Sequence, residues 1–137
     1  MRLVYLSSRF YAQYAACPEI LQKPTRPYAC LSVQVEGQTF AIPFRHHIAH
    51  KYAFFTYNDC GLDYTKAVLI LDESYLDPAR PQIEQREFNA LKGQDARILR
   101  EFSRYLKLYR KALQNRSNPH YANILRYSAL QYFESYL

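Results

Sequence analysis

The stretch that most restricts how this chain can fold runs from Tyr28 to Pro43, two strand-forming runs that meet at Gly37. Tyr28-Ala-Cys-Leu-Ser-Val-Gln-Val-Glu36 is dense in β-formers and alternates in places. Gly37-Gln38 then reads as a two-residue turn with glycine at its first central position, as a type II′ hairpin prefers. Thr39 to Pro43 is the expected return strand. Proline has no amide proton to give to a ladder, so pairing is expected to stop at Pro43.

Other elements follow from periodicity and punctuation. Arg2 to Leu6 reads as a short strand, and Ser7 or Ser8 as the cap of a helix over about 9–16 with Phe10, Tyr11, Tyr14 and Ala15 on its apolar face. Cys17-Pro18 ends it, and Pro18, Pro24 and Pro27 predict a loop over 18–27. Tyr52 to Tyr57 is a further strand, Asn58 to Gly61 a turn, and Ala67 to Leu71 a buried strand. The pattern becomes helical over 84–91 and 94–113, parted at Gly93, and again from Asn118 or Pro119 to the end. Strands in the middle with helices at both ends predict one α+β domain over 1–137: a twisted antiparallel sheet with helices packed around it.

Composition narrows the function classes. A chain of 137 residues can bury a core. Its 14 Tyr and 8 Phe exclude disorder, and its three glycines form no phosphate-binding loop motif. A net charge of +6 and a pI near 9.3 favour a polyanionic partner. Cys17, Cys30 and Cys60 are odd in number, far apart and in no CxxC pair, which predicts reduced thiols. No run approaches the roughly 20 apolar residues needed to span a bilayer. The expectation is a soluble, cytoplasmic protein with no membrane partner.

Candidate chemistry lies just past the hairpin, in Phe40-Ala-Ile-Pro-Phe-Arg-His-His-Ile-Ala-His-Lys-Tyr-Ala-Phe-Phe55. Arg45, His46, His47, His50 and Lys51 stand between apolar flanks, with no carboxylate between Glu36 and Asp59. Imidazole takes and gives protons near neutral pH, and Arg and Lys hold phosphate and its developing charge. The set therefore suits cleavage or binding of a phosphodiester. Three other readings stay open. The histidines could be solvated surface residues. A metal could use His46 with His50 or His47 with His50, although no acid or cysteine lies close in sequence and two cations flank the site. Cys60 with His47 could form a nucleophilic pair.

A second feature is a cationic stripe, Arg97, Arg100, Arg104, Lys107 and Lys111, at helical spacing beside the apolar stripe Ile98, Phe102, Leu106, Tyr109 and Leu113. Asp95 and Glu101 are the only acids from 94 to 116. The stripe reads as a solvated face or as a phosphate-contacting one. Interleaved Tyr105, Tyr109, Tyr121 and Tyr127 could stack on unpaired bases, though their spacing also suits a core.

Arg26-Pro27-Tyr28, the Phe40–Phe54 run and Gly61-Leu-Asp-Tyr-Thr-Lys-Ala-Val-Leu-Ile70 together resemble the TenpN branch of the ToxN/AbiQ-like toxins of type III toxin–antitoxin systems. The resemblance spans about 18–80. It implies a MazF/Kid-like, ToxN-like sheet fold and a sequence-specific bacterial endoribonuclease linked to phage defence. It implies attack by the 2′-hydroxyl without metal or cofactor, giving 2′,3′-cyclic phosphate and 5′-hydroxyl ends. The implied partners are cellular or phage RNA substrates and a small folded repeat RNA antitoxin. The toxin cuts that RNA from its precursor and is inhibited by it in a closed RNA–protein hetero-oligomer. The ToxN branch places two hydroxyl residues shortly after the hairpin proline. Here Arg45 and His46 stand in that place, and a family lysine falls on Arg26.

From the chemistry of the residues themselves, His46 or His47 is expected as general base and His50, or another of the cluster, as general acid. Arg45, helped by Lys51, Lys66 or Arg26, is expected to hold the phosphate, with Tyr28 or Tyr52 stacking on a base. The alternative is a non-catalytic RNA-binding module, which explains charge and aromatics but not the grouping of histidines. A scaffold for an acidic protein is the third class.

Overall fold

A computed structural model describes residues 1–22 and 28–137. The first strand, β1, is Arg2–Leu6, and Ser7 rather than Ser8 caps α1 (Ser8–Gln13), its hydroxyl accepting the Phe10 amide proton. The helix is shorter than the expected 9–16. The loop expected over 18–27 falls in part outside the described residues.

The hairpin pairs β2 (Ala29–Val35) with β3 (Gln38–Arg45). Its turn is Glu36-Gly37, one residue earlier than the type II′ expectation. Both residues have positive φ, +52° and +77°. Two left-handed central residues are the mark of a type I′ turn, whose twist matches that of the strands. The sequence does not signal this, because a glutamate by itself disfavours positive φ and glycine alone marks the turn.

Pro43 does end pairing with β2, opposite Cys30, but it does not end the strand. β3 continues by pairing Phe44 and Arg45 on its other edge with β5 (Cys60–Asp63). That same edge, nearer its start, holds β6 (Val68–Leu69) against Phe40 and Ala41. One strand thus serves three partners. With β4 (Ala53–Tyr57) and β7 (Leu76–Asp77), the seven strands form an antiparallel sheet in the order β4-β5-β3-β2-β1-β7, with β6 off that path. The protein is α+β. Sequence periodicity passed over β5 and β7 because four and two residues are too few to show a period of two.

Helices cover the sheet. α2 (Gln85–Leu91) and α3 (Asp95–Leu113) match the expected segments closely. α3 buries Ile98, Phe102, Tyr105, Leu106, Tyr109 and Ala112, and the Phe102 ring meets Phe40 of β3 edge-on at 5.2 Å. The last expected helix is two pieces. α4 (Pro119–Tyr127) stops at Ser128, whose hydroxyl caps a 3-10 segment, Ala129–Tyr136, through the Leu130 amide. Among the described residues no helix is long and apolar enough to cross a membrane.

Gly61 of β5 shows how tightly the site's sheet is built. A Cβ there would collide with the Phe54 carbonyl and lie 2.8 Å from Phe55 Cα. Those are backbone atoms of β4, which cannot swing aside. Gly61→Ala is therefore expected to cost about 3 kcal/mol, at the top of the usual overpacking range, read as a lowered urea midpoint.

Candidate active site

The site is built on one buried carboxylate. Asp63 ends β5 with no solvent exposure, and its Oδ1 caps the 3-10 turn Tyr64–Lys66 by accepting the Thr65 amide proton at 2.9 Å. The Thr65 hydroxyl donates to the same oxygen at 2.6 Å. Arg45 Nη1 donates to Oδ2 at 2.7 Å. This contact follows from register: Arg45 pairs with Gly61, so Asp63 is its diagonal neighbour on the same face. His50 Nε2 lies 3.1 Å from Oδ1, while His50 Nδ1 accepts the Tyr52 amide proton at 3.0 Å. An accepting Nδ1 leaves the ring proton on Nε2, which donates to Asp63. Burial disfavours the charge on Asp63, but the hydrogen bonds from His50, Thr65 and Arg45 outweigh it and hold its carboxyl below the usual range.

Above this cluster opens a cavity of about 430 Å³. Arg45, His50, Tyr52, Thr65 and Lys66 line it from the sheet side. Tyr105 of α3, His120, Asn123, Ile124 and Tyr127 of α4, and Glu19 from the loop after α1 close the other side. Lys66 is held in place by the Tyr127 carbonyl at 2.8 Å and Glu19 at 3.4 Å. A second cavity of about 390 Å³ shares Tyr105 as a wall and is lined by Lys51, Phe55, Arg97 and Arg104. A larger cleft of about 830 Å³ lies elsewhere, between β1, β7 and α2. There Arg2, Arg80 and Lys92 face Glu73, Asp77 and Asp95, so no net charge marks it for an anion.

The three clustered histidines do not share a site. The loop from β3 to β4 is not helical, and Ile48 is buried midway, its amide proton held by the Asp59 carbonyl at 2.9 Å. His46 and His47 are left on the Asp59–Cys60 side, and His50 returns to Asp63 at the far end of β5. His47, at φ +58°, has a side chain 91% exposed and its Nδ1 3.3 Å from Asp59. His46 Nδ1 lies 3.1 Å from Cys60 Sγ. The thiol beside an imidazole is thus paired with His46, not His47, and burial pushes that thiol upward, opposite to what a nucleophile needs. Among the described residues, no three metal-binding side chains are grouped to hold an ion.

The other expected contacts divide as well. Arg26 lies outside the described residues. Tyr28 lines a narrow crevice with Tyr11, Pro43 and Lys66, and of these only Lys66 also lines the main cavity. Tyr52 does line that cavity. Arg97 spends one face on Glu101 at 2.8 Å. Arg100, Lys107 and Lys111 are exposed on α3 but border neither cavity. Tyr105 and Tyr109 are core residues, their hydroxyls on Ser128 and Glu134, so neither offers a stacking face. Tyr127 is exposed at the rim.

No protein-family model, curated protein or solved structure matches this chain. The site therefore rests on its own geometry.

Sequence reasoning missed Asp63, Thr65, Glu19 and His120. Asp63 and Thr65 carried a signal: a single acid within the apolar run 60–71, followed two residues later by a hydroxyl, is an Asx-turn cap that must find partners if buried. Glu19 and His120 carried none, since nothing local links them to residues 45–66.

Two stability predictions follow from the buried acids. Asp63→Ala leaves Arg45 and His50 facing an empty pocket and is expected to cost about 3–5 kcal/mol. Because folding depresses this carboxyl, its contribution is complete above the unfolded value of about 4 and fades as pH falls through the lower folded value. The gap between the wild-type and variant midpoints should narrow there. Glu87 of α2 is the opposite case: burial and the nearby Glu84 carboxylate push its carboxyl up, with His46 pulling back. Its charge costs stability at neutral pH, so Glu87→Gln should raise the urea midpoint at pH 7. At about pH 3, where both states hold the proton, it should change nothing.

Proposed function

We propose that this chain is a metal-independent endoribonuclease of the ToxN-like kind, acting in the cavity above Asp63. What carries the reading is the convergence there of Arg45 and Lys66, two cations each fixed by protein contacts and each with donors left over. An arginine anchored through one Nη by a buried carboxylate offers its remaining N–H groups in a set direction, which suits the nonbridging oxygens of a phosphate. Lys66 supplies a second charge to the same cavity. The 2′-oxygen attacks phosphorus, the bond to the 5′-oxygen breaks, and Arg45 and Lys66 stabilise the charge that builds on the phosphorane. The products are a 2′,3′-cyclic phosphate and a 5′-hydroxyl.

His50 positions rather than shuttles. Both ring nitrogens are engaged inside the protein, so its part is to hold Asp63, and through it Arg45. RNA leaves the cavity past Tyr105 towards Lys51, Arg97 and Arg104, where exposed Phe55 offers a face for an unpaired base. The basic face of α3 continues that track. In keeping with the resemblance, the proposed partners are cellular or phage RNA and a repeat RNA that is both precursor substrate and inhibitor.

A second reading, an RNA-binding module without catalysis, is favoured by the turning away of His46 and His47. One experiment separates the two. The protein is incubated in EDTA with a mixed-sequence single-stranded RNA pool, and 3′ ends are mapped by their chemistry. Cyclic-phosphate ends are expected from the wild type. Arg45→Ala and Lys66→Ala should each lower the rate at least about 100-fold, the scale of losing one oxyanion donor. His46→Ala and His47→Ala should cut normally. RNA retained but uncut would establish the binder, and loss of cutting in His47→Ala would show that the wrong cavity has been chosen.

A further inference from the structure

The cavity holds its phosphate grip on the sheet side, yet transesterification also needs one group to take a proton and another to give one. We propose that Glu19 and His120 are that pair, a deepening that rests on the ribonuclease reading above. Neither belongs to the histidine segment. Glu19 follows α1 and His120 sits in the first turn of α4, so residues 101 positions apart line one cavity.

Commitment of the other groups singles them out. His50 has both nitrogens bonded, to Asp63 and to the Tyr52 amide. His46 and His47 are paired with Cys60 and Asp59, off this cavity. Lys66 donates to the Tyr127 carbonyl and leans on Glu19. Among the described residues the His120 imidazole has no hydrogen-bond or ion-pair partner. Its one ring neighbour is Tyr121, at 5.2 Å and steeply inclined. It is exposed and lines the cavity.

Among the described residues, Glu19 is the only carboxylate besides Asp63 beside Arg45 and Lys66, and the two differ in kind. Asp63 is fully enclosed with both oxygens occupied. Glu19 keeps 23% of its side chain exposed, and its one ion-pair contact is 3.4 Å from Lys66. Its backbone is held in turn, the amide proton going to the Tyr132 hydroxyl at 3.2 Å. An ionised carboxylate accepts and does not donate. Glu19 therefore takes the 2′-hydroxyl proton as the O2′–P bond forms. His120, protonated, gives its proton to the 5′-oxygen as the P–O5′ bond breaks. Exchange with water then returns the proton from Glu19 and restores the one on His120, so the cycle balances with no other reactant.

The test uses the full chain, first with the mixed-sequence RNA pool to find a cut, then with an oligonucleotide carrying sulfur in place of the 5′-bridging oxygen at that link. A thiolate leaves without help from an acid. His120→Ala is expected to lose about 10²–10⁴-fold on the oxygen-linked RNA and to recover most of the rate on the sulfur-linked one. Glu19→Gln, which keeps a polar contact to Lys66, should lose a similar factor on both. His120→Ala cutting the oxygen link at the wild-type rate, or falling equally on both substrates, overturns the acid assignment. Normal cutting by Glu19→Gln overturns the base. Thermal melting of each variant separates loss of fold from loss of chemistry. If the wild type makes no cyclic-phosphate ends, the ribonuclease reading falls first and this pair with it. A wild type that cuts while both variants also cut sinks the pair alone.

Discussion

Everything at the candidate site hangs on a negative charge with no access to water. Moving a carboxylate into an apolar interior is costly unless hydrogen bonds replace its hydration. Asp63 meets that condition with four donated protons, from the Thr65 amide and hydroxyl, His50 and Arg45. The same four contacts define the local geometry. They turn the chain from β5 into the 3-10 segment that presents Lys66, fix the direction of the Arg45 guanidinium, and draw the β3–β4 loop back to the sheet through His50. Stability and positioning are therefore one interaction here.

The sheet places Asp63 where those donors can reach it. β3 exchanges partners along one edge, from β6 at its start to β5 at its end, and the exchange brings Arg45 and Asp63 onto the same face. Gly61 makes the close approach of β4 and β5 possible, because that spot has room only for a hydrogen. Above, α3 and α4 close the cavity through Tyr105 and Tyr127, so the core packing of α3 against Phe40 also sets the height of the cavity's wall.

The strands β1, β2, β4 and the helices α2 and α3 were legible in the sequence because each is long enough to show a period or is bounded by clear punctuation. β5, β6 and β7 were not, or not in their true extent, because short strands owe their existence to partners already in place. The histidine segment shows the limit most clearly. Composition marked it correctly as a concentration of charge, but spacing along the chain says nothing of direction once the backbone leaves a helix. Ile48 burying itself against the Asp59 turn parts His46 and His47 from His50, and that depends on a contact eleven residues downstream. Arg45 and Lys66, both marked from the sequence, line one cavity. Their common anchor, a lone acid in an apolar run, was the readable clue that went unread.

Lys66 is gripped on its outer side by the carbonyl of Tyr127, an atom every amino acid provides. The lateral wall formed by the Tyr127 ring can thus be exchanged for another side chain while the ammonium keeps its tether. The outline of that wall and the placement of the ammonium are in this way uncoupled. A lineage of such chains is free to reshape one side of the cavity without moving the cation beside it.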